Sequence, residues 1–234
     1  MTEKPISPVA QRAKALQEEI WRLSQREGCP VQIMAVTKTV SPEIVTEVAE
    51  QGITLLGENR VQEFLEKRLK YPRNCSIHFI GTLQTNKVKY LVDKVDMIQS
   101  VDSISLAKEI EKRCAAIGRV MDILVEVNIA QEPAKSGVFP QKLLPLLLEI
   151  SQMPHVKVRG LMTIGPVTAL EEEKRICFRK MHEIYIDIQN QSLHNIDMSI
   201  LSMGMSADYA IAIQEGATLV RLGTALFGKR SYLI

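Results

Sequence analysis

The chain has 234 residues, of which 46% are hydrophobic and 24% charged, and its mean hydropathy is +0.01, as is typical of a globular protein with a sizeable apolar core. Its formal net charge of +2 is too small to favour nucleic acid or an anionic membrane surface as a partner. No apolar run approaches the roughly 18 residues of a membrane span, and the N-terminus lacks the apolar segment of a signal peptide, so we expect a cytoplasmic protein.

Short apolar segments alternate with amphipathic segments along the chain. An opening helix is predicted first, because apolar residues recur at helical spacing from Val9 to Leu23 and Gly28 follows where a helix would end. Apolar segments then predict eight strands, and helical spacing predicts a helix between each pair of successive strands. The predicted strands are residues 31–37, 53–56, 76–80, 97–101, 123–129, 156–162, 198–203 and 218–222.

This alternation predicts the fold class α/β, as a (β/α)8 barrel of the TIM type with an extra N-terminal helix. We expect residues 1–234 to form a single domain, because no linker-like segment flanks the long predicted helix before the seventh strand. A doubly wound open sheet is the alternative. The lack of a Gly-x-Gly-x-x-Gly motif after the first strand counts against that alternative.

The spacing of the four cysteines indicates that their thiols stay reduced. Cys29, Cys75, Cys114 and Cys177 form no Cys-x-x-Cys pair and no cluster with histidine. A disulfide framework and a structural zinc site are therefore not expected, and reduced thiols are typical of the cytoplasm.

Binding residues of a barrel lie at the C-terminal ends of its strands, and the loops after the seventh and eighth strands commonly bind phosphate. In this chain both loops combine small residues and hydroxyls with backbone N–H groups, around Ser206 in the first loop and around Gly223 and Thr224 in the second. These features predict a phosphate site. The alternative is that Ser206 and Thr224 only cap their helices.

Lys38 is the second feature of this predicted mouth. It follows an apolar strand, so its stem starts beside low-dielectric walls that lower proton affinity and favour an amine nucleophile. The alternative is a surface lysine whose charge stays in water. A nucleophilic lysine beside a phosphate site meets the requirements of pyridoxal 5′-phosphate (PLP), which bonds to lysine as a Schiff base.

Seven stretches of the chain carry a resemblance to a known family. They are residues 35–38, 57–63, 78–87, 127–129 with 135–137, 160–164, 201–208 and 221–228. In these stretches the chain resembles the pyridoxal phosphate homeostasis protein family. The resemblance spans nearly the whole chain and implies a barrel similar to the N-terminal domain of alanine racemase.

The resemblance also implies which residues hold the cofactor. It implies an aldimine between Lys38 and PLP, phosphate contacts from Ser206, Gly223 and Thr224, and Arg221 facing the pyridine nitrogen. Three further residues are expected to line the same pocket, namely Asn59, His78 and Met203.

Arg221 limits the chemistry that we expect of PLP in this site. Arginine stays protonated and offers no acceptor, so it should leave the ring nitrogen unprotonated and the ring a weak electron sink. Simple exchange of PLP between amines does not need that sink, whereas strong carbanion chemistry does. The alternative for Arg221 is an ion pair with a neighbouring carboxylate.

Three functions are compatible with these residues. The first is a PLP carrier, buffer or regulator, without catalytic residues, that exchanges PLP with free amines or apo PLP-dependent enzymes. We expect it to be a monomer, since little chain follows Arg221 that could form the second domain of alanine racemase. The second is a racemase-like enzyme, which needs an acid/base group opposite Lys38; the candidates are His78, Tyr209 and Tyr232. The third is a barrel for another phosphorylated metabolite, with Lys38 as an ion-pair partner.

Overall fold

Eight parallel strands close into a barrel in the computed structural model of this protein, which describes residues 6–166 and 170–228. The strands are β1 (Gln32–Val36), β2 (Leu55–Glu58), β3 (Ser76–Phe79), β4 (Met97–Val101), β5 (Met121–Glu126), β6 (Val156–Met162), β7 (Ile196–Met205) and β8 (Leu219–Leu222). The helices are α1 (Pro8–Glu27), α2 (Pro42–Glu50), α3 (Val61–Lys67), α4 (Ile104–Ala115), α5 (Pro140–Ile150), α6 (Glu171–Asn190), α7 (Tyr209–Gln214) and α8 (Thr224–Phe227). The predicted barrel is confirmed.

The barrel closes where β1 pairs with β8. Gln32 lies opposite Leu219, and Met34 lies between Leu55 of β2 and Arg221 of β8. This seam joins the first strand of the chain to its last strand. Residues at the C-terminal ends of β1 and β8 therefore meet at one point of the barrel mouth.

The predicted opening helix, α1, packs beside this seam. The Ser7 side chain caps its N-terminus by accepting from the Ala10 N–H at 3.2 Å. Gly28 ends it in the left-handed conformation, at φ 66°. The half-buried Arg12 donates from Nε to the Leu226 carbonyl of α8 at 2.8 Å, so the helix ties the start of the barrel to its end.

Side chains alternate between two apolar regions because successive residues of a strand point to opposite faces. Ala35 belongs to the large core between barrel and helices. Its neighbours Met34 and Val36 belong to a small separate cluster with Ile80 and Leu219. A second small cluster contains Met97, Leu124 and Met162. The barrel interior therefore contains two small apolar clusters rather than one continuous apolar core.

The predicted boundaries differ from the structure at β2 and after β3. β2 runs two residues later than predicted, to Glu58, because the Glu58 side chain is buried and bonded inside the protein. The helix predicted after the third strand is a 3₁₀ helix, Thr85–Tyr90, and a second 3₁₀ helix, Arg68–Lys70, follows α3.

The fifth strand, predicted at 123–129, starts two residues earlier and ends three residues earlier in the structure. β5 ends at Glu126, after which Val127 makes one isolated bridge to Val138. The Asn128 side chain holds the intervening loop, since its Nδ2 donates to the carbonyls of Glu132 and Lys135 at 2.8 and 3.1 Å. An asparagine that bonds a loop in this way competes with continuation of the strand.

Within residues 6–166 and 170–228, none of the helices combines the length and the apolar character that crossing a bilayer would require.

Candidate functional site

A cavity of about 310 Å³ opens at the C-terminal ends of β1, β7 and β8, on the seam of the barrel. Its size is at the lower end of the range of small-molecule pockets, about 300–1,000 Å³. It is lined by Val36, Lys38, Met205, Ser206, Ala207, Arg221, Gly223 and Thr224. Five of the eight predicted site residues therefore lie around one cavity.

Lys38 is held in a tight turn by the residues on either side of it. The Thr37 hydroxyl donates to Glu58 Oε1 at 2.5 Å, and the Thr39 N–H donates to the Glu63 carboxylate. Thr39 adopts the left-handed conformation, at φ 60°. One bond runs to the last residue of β2 and the other to α3, so the neighbouring strand and its helix fix the backbone from which the half-buried Lys38 side chain extends.

Glu58 is the buried anchor of this turn. Its side chain is inaccessible to solvent, and its Oε1 also accepts from the Tyr71 hydroxyl at 2.5 Å. Burial raises the pKa of Glu58 above its ordinary value, although the hydrogen bonds from Thr37 and Tyr71 oppose that shift. Oε2 has no partner among the described residues.

Ser206 links the two predicted phosphate loops. Its Oγ accepts from the Gly223 N–H at 3.1 Å and from the Ala225 N–H at 3.0 Å. These donors lie at the start of α8, whereas the helix that follows Ser206, α7, begins after Asp208. Ser206 therefore bonds the neighbouring loop and does not cap its own helix. Clustered N–H groups of this kind are donors suited to an oxyanion.

A chain of hydrogen bonds crosses the barrel interior from Arg221 to His78. Arg221 donates to Ser202 Oγ and to the Thr163 carbonyl, each at 2.8 Å. Ser202 Oγ donates to Gln99 Oε1 at 2.8 Å, which turns the amide nitrogen of Gln99 toward His78 Nδ1 at 2.9 Å. Because that nitrogen donates, His78 Nδ1 accepts and the imidazole proton lies on Nε2.

The two ends of this chain differ in charge. Burial lowers the pKa of His78 to about 4, so the imidazole is neutral at pH 7. Burial also lowers the pKa of Arg221, to about 10, while the charges of Glu126 and Asp208 oppose that shift. Arg221 is thus a cation at neutral pH. It forms no ion pair with any described residue, which counts against the alternative that Arg221 serves as an ion-pair partner of a neighbouring carboxylate.

Glu126 is a buried carboxyl at the mouth of the barrel that was not predicted from the sequence as a candidate. It is buried at the end of β5 and lines a second cavity of about 190 Å³, beside the first, with Asn59, Asn128 and Lys135. Burial, together with the nearby charge of Asp102, raises the pKa of Glu126 to about 7. A polar residue inside the apolar run ILVEVNI was the available signal, and Gln99 inside MIQSV gave the same signal.

Asn59 lies in this second cavity and not in the cavity at Lys38. Its Oδ1 atom is buried and has no partner among the described residues, so it is a free acceptor. Gly81 allows the backbone after β3 to approach closely, because a Cβ atom at Gly81 would lie 2.1 Å from the Asn59 carbonyl oxygen. The absence of a side chain at Gly81 therefore sets the position of Asn59.

We expect Gly81→Ala to displace Asn59 and to lower the free energy of unfolding by about 2 kcal/mol, because the added methyl group meets backbone. Urea unfolding measures this loss. Gly118→Ala is the control: no atom lies within 4 Å of its added Cβ, so only its φ of +63° resists the change, and the loss should be about 1 kcal/mol or less. Equal losses in the two variants would contradict the assigned contact.

The remaining candidates lie elsewhere. Met203 is fully buried in the core between barrel and helices, and does not line the cavity at Lys38. The Tyr209 hydroxyl donates to Glu19 Oε1 of α1 at 2.8 Å. Tyr232 lies outside the described residues. Among residues 6–166 and 170–228, no group of three or more His, Cys, Asp or Glu side chains is placed to hold a metal ion.

Comparison with known proteins identifies similar chains. Residues 12–231 match the family model "Alanine racemase, N-terminal domain". The chain is 46% identical to the pyridoxal phosphate homeostasis protein of Aquifex aeolicus over 219 residues, covering 93% of this chain and 94% of that protein. It is 33% identical to PipY of Synechococcus elongatus in its structure with PLP bound, with a TM-score of 0.84, covering 94% of this chain and 100% of that chain. An alanine racemase of Clostridium difficile shares the fold, with a TM-score of 0.74 and 14% identity, over 95% of this chain and 58% of that chain.

Proposed function

Because the chain belongs to the pyridoxal phosphate homeostasis protein family, within the wider family of alanine racemase N-terminal domains, we propose that it binds PLP and acts in PLP homeostasis as a carrier or buffer. Membership of the family confirms the resemblance predicted from seven stretches of sequence. One observation carries the proposal for the binding site: a lysine, an arginine and two loops suited to phosphate line the same cavity.

The residues of this cavity fit the chemical groups of PLP. Ser206, Gly223 and Thr224 would hold the phosphate, with the Gly223 N–H exchanging its bond to Ser206 Oγ for one to a phosphate oxygen, and the Arg221 guanidinium would face the pyridine nitrogen. Bound there, PLP supplies an aldehyde that an amine can attack, forming a carbon–nitrogen double bond with loss of water. We assign that amine to Lys38.

Other residues would position this set. The chain from Arg221 through Ser202 and Gln99 to His78 fixes the guanidinium, so His78 would support the site from inside the barrel. Asn59 would contribute its free acceptor from the second cavity. Met203 packs on the core side of β7, and we do not include it among the residues that hold the cofactor.

The ionisable groups around the cavity favour a carrier over a racemase. Racemisation needs an acid/base group on each face of the substrate. In the described lining only Lys38 and Arg221 are ionisable, and Arg221, with a pKa of about 10, stays protonated at neutral pH. Of the candidates for the second group, His78 has a pKa of about 4 and accepts a bond at Nδ1, and Tyr209 is bonded to Glu19.

The cavity is also open enough for exchange. Lys38 is half-buried and Thr224 is exposed, so solvent and free amines can reach the lining. This supports exchange of PLP with apo PLP-dependent enzymes. We further propose that the barrel of residues 1–234 works as one domain, as a monomer and in the cytoplasm, where its four unpaired cysteines would stay reduced.

Transfer from the loaded protein tests this function. We expect the chain to retain PLP through gel filtration, to restore activity to an apo PLP-dependent enzyme, and to racemise alanine far more slowly than the about 1–10³ s⁻¹ typical of enzymes. Retained PLP that neither an apo-enzyme nor a free amine removes would contradict the carrier. Turnover in the range of enzymes would support the racemase instead. A chain that retains no PLP would leave the barrel as a site for another phosphorylated metabolite.

A further inference from the structure

A third depression, larger than the two cavities described above, lies between the loops that follow β2 and β3. It has a volume of about 550 Å³ and shares Asn59 and Thr82 with the second cavity, whereas none of its described lining residues lines the cavity at Lys38. We call it the Arg60–Lys87 groove. Its polar lining includes Arg60, Gln62, Thr82, Gln84, Lys87 and Tyr90. The volume is well within the range of small-molecule pockets.

The groove unites residues of two sequence stretches that carry the family resemblance, 57–63 and 78–87. The proposed PLP site uses only Asn59 and His78 from these stretches. Arg60 immediately precedes α3, and Gln84 immediately precedes the 3₁₀ helix Thr85–Tyr90, so both short helices begin at the edge of the groove. The fold therefore brings together polar residues for which the proposed PLP site has no use.

The charges of the groove have one sign. Arg60 and Lys87 are its ionisable cations, and neither forms an ion pair with any described residue. No Asp or Glu is among the described lining residues. Lys87 Nζ lies 5.8 Å from the centre of the Tyr90 ring, which keeps the cation beside the groove through a cation–π contact.

The neutral part of the lining suits an organic ligand. Gln84 offers an amide donor. Val61, Leu65 and Phe79 offer apolar surface for a carbon skeleton. Few precisely placed polar groups on a partly apolar lining are typical of small-molecule sites.

We propose that the Arg60–Lys87 groove is a second ligand site, which binds a small organic anion bearing carboxylate or phosphate groups. The guanidinium of Arg60 can donate two parallel bonds to either group, and Lys87 supplies a second cation in a described lining that contains no Asp or Glu. The site is distinct from the cavity at Lys38, and its occupancy does not depend on PLP.

Calorimetric titration in low-salt, phosphate-free buffer tests this site, with citrate and pyrophosphate as probes. The protein is first saturated with PLP, so that a probe does not enter the loops around Ser206 and Gly223. We expect saturable binding of at least one probe, weakened about tenfold by Arg60→Gln or Lys87→Gln, because each substitution removes a cation that hydrogen-bonds the anion. Lys89→Gln is the matched control because it removes the same charge. Lys89 contacts the same Tyr90 ring but is not among the described residues that line the groove.

The outcomes separate the ligand classes. Binding of citrate alone assigns carboxylates, binding of pyrophosphate alone assigns phosphates, and binding of both assigns a general anion site. Absence of saturation at about 10 mM of both probes, which is beyond the millimolar range of weak specific sites, would overturn the proposal. An equal loss in Lys89→Gln would overturn it too, by showing a general effect of charge. If the protein retains no PLP, the same variants titrated without cofactor keep this test separate from the proposed function.

Discussion

Replacing Lys38 by alanine is expected to abolish both the visible absorption that PLP gives with the wild-type protein and the pyridoxyl label that borohydride fixes on it. Lys38 is the one lysine of the described cavity lining, held between the bonds of Thr37 and Thr39. Its amine is the group that can bond covalently to the aldehyde. Absorption spectra, followed by reduction and mass spectrometry of the labelled peptide, measure the effect.

Two further variants show whether the loss is specific. Lys38→Arg keeps a cation at the cavity but replaces the amine by a guanidinium that stays protonated, so we expect it to lose the label as completely as alanine does. Lys89→Ala removes a lysine away from the cavity and should be labelled as the wild-type protein is. A full label in Lys38→Ala, carried by another lysine, would contradict the assignment.

Glu126→Gln is expected to stabilise the protein at pH 8, by up to about 3 kcal/mol. Burial raises the pKa of Glu126 from an ordinary 4.5 to about 7, so its carboxyl favours the protonated form in the folded state. The stability that the protonated Glu126 carboxyl contributes is fully present below pH 4.5, where Glu126 is protonated in both the folded and the unfolded protein. That stability is lost as the pH rises through about 7. Glutamine cannot ionise and so avoids this loss; about 1.4 kcal/mol for each unit of pKa shift sets the upper limit.

Urea unfolding at two pH values measures this effect. At pH 4.5, close to the ordinary pKa of glutamate, the gain should shrink below about 0.5 kcal/mol. Glu50→Gln, at an exposed position of α2, is the control and should change the free energy of unfolding by less than about 0.5 kcal/mol at both pH values. Destabilisation of Glu126→Gln at pH 8 would instead show that the ionised carboxylate contributes to stability, through its attraction to Arg221.

The alternation of strands and helices was predictable because burial of apolar faces follows a local period. The opening helix, the eight strands and the grouping of Lys38 with Ser206, Arg221 and Gly223 all follow from that period and from the rule that barrel sites lie at the ends of strands. The residues that hold the cofactor remain a prediction, although five of them share one cavity.

Side-chain partners on distant strands could not be predicted in this way. The bond between Gln99 and His78 and that between Ser202 and Arg221 depend on how four strands are staggered around the barrel, which no local pattern records. The position of the Met203 side chain could not be predicted for the same reason. The sequence predicts Met203 at the end of the seventh strand but does not say to which face of the barrel it points.

The seam between β1 and β8 also has a consequence for folding. Pairing of Gln32 with Leu219 joins segments from opposite ends of the chain, so loop-closure entropy makes it a late and slow contact. The cavity at Lys38 is formed across this same seam and does not exist in a chain that has not closed. A ligand in that cavity binds the closed barrel only. By mass action, such a ligand would oppose opening of the seam. The free energy of this stabilisation grows with the logarithm of the ratio of ligand concentration to dissociation constant.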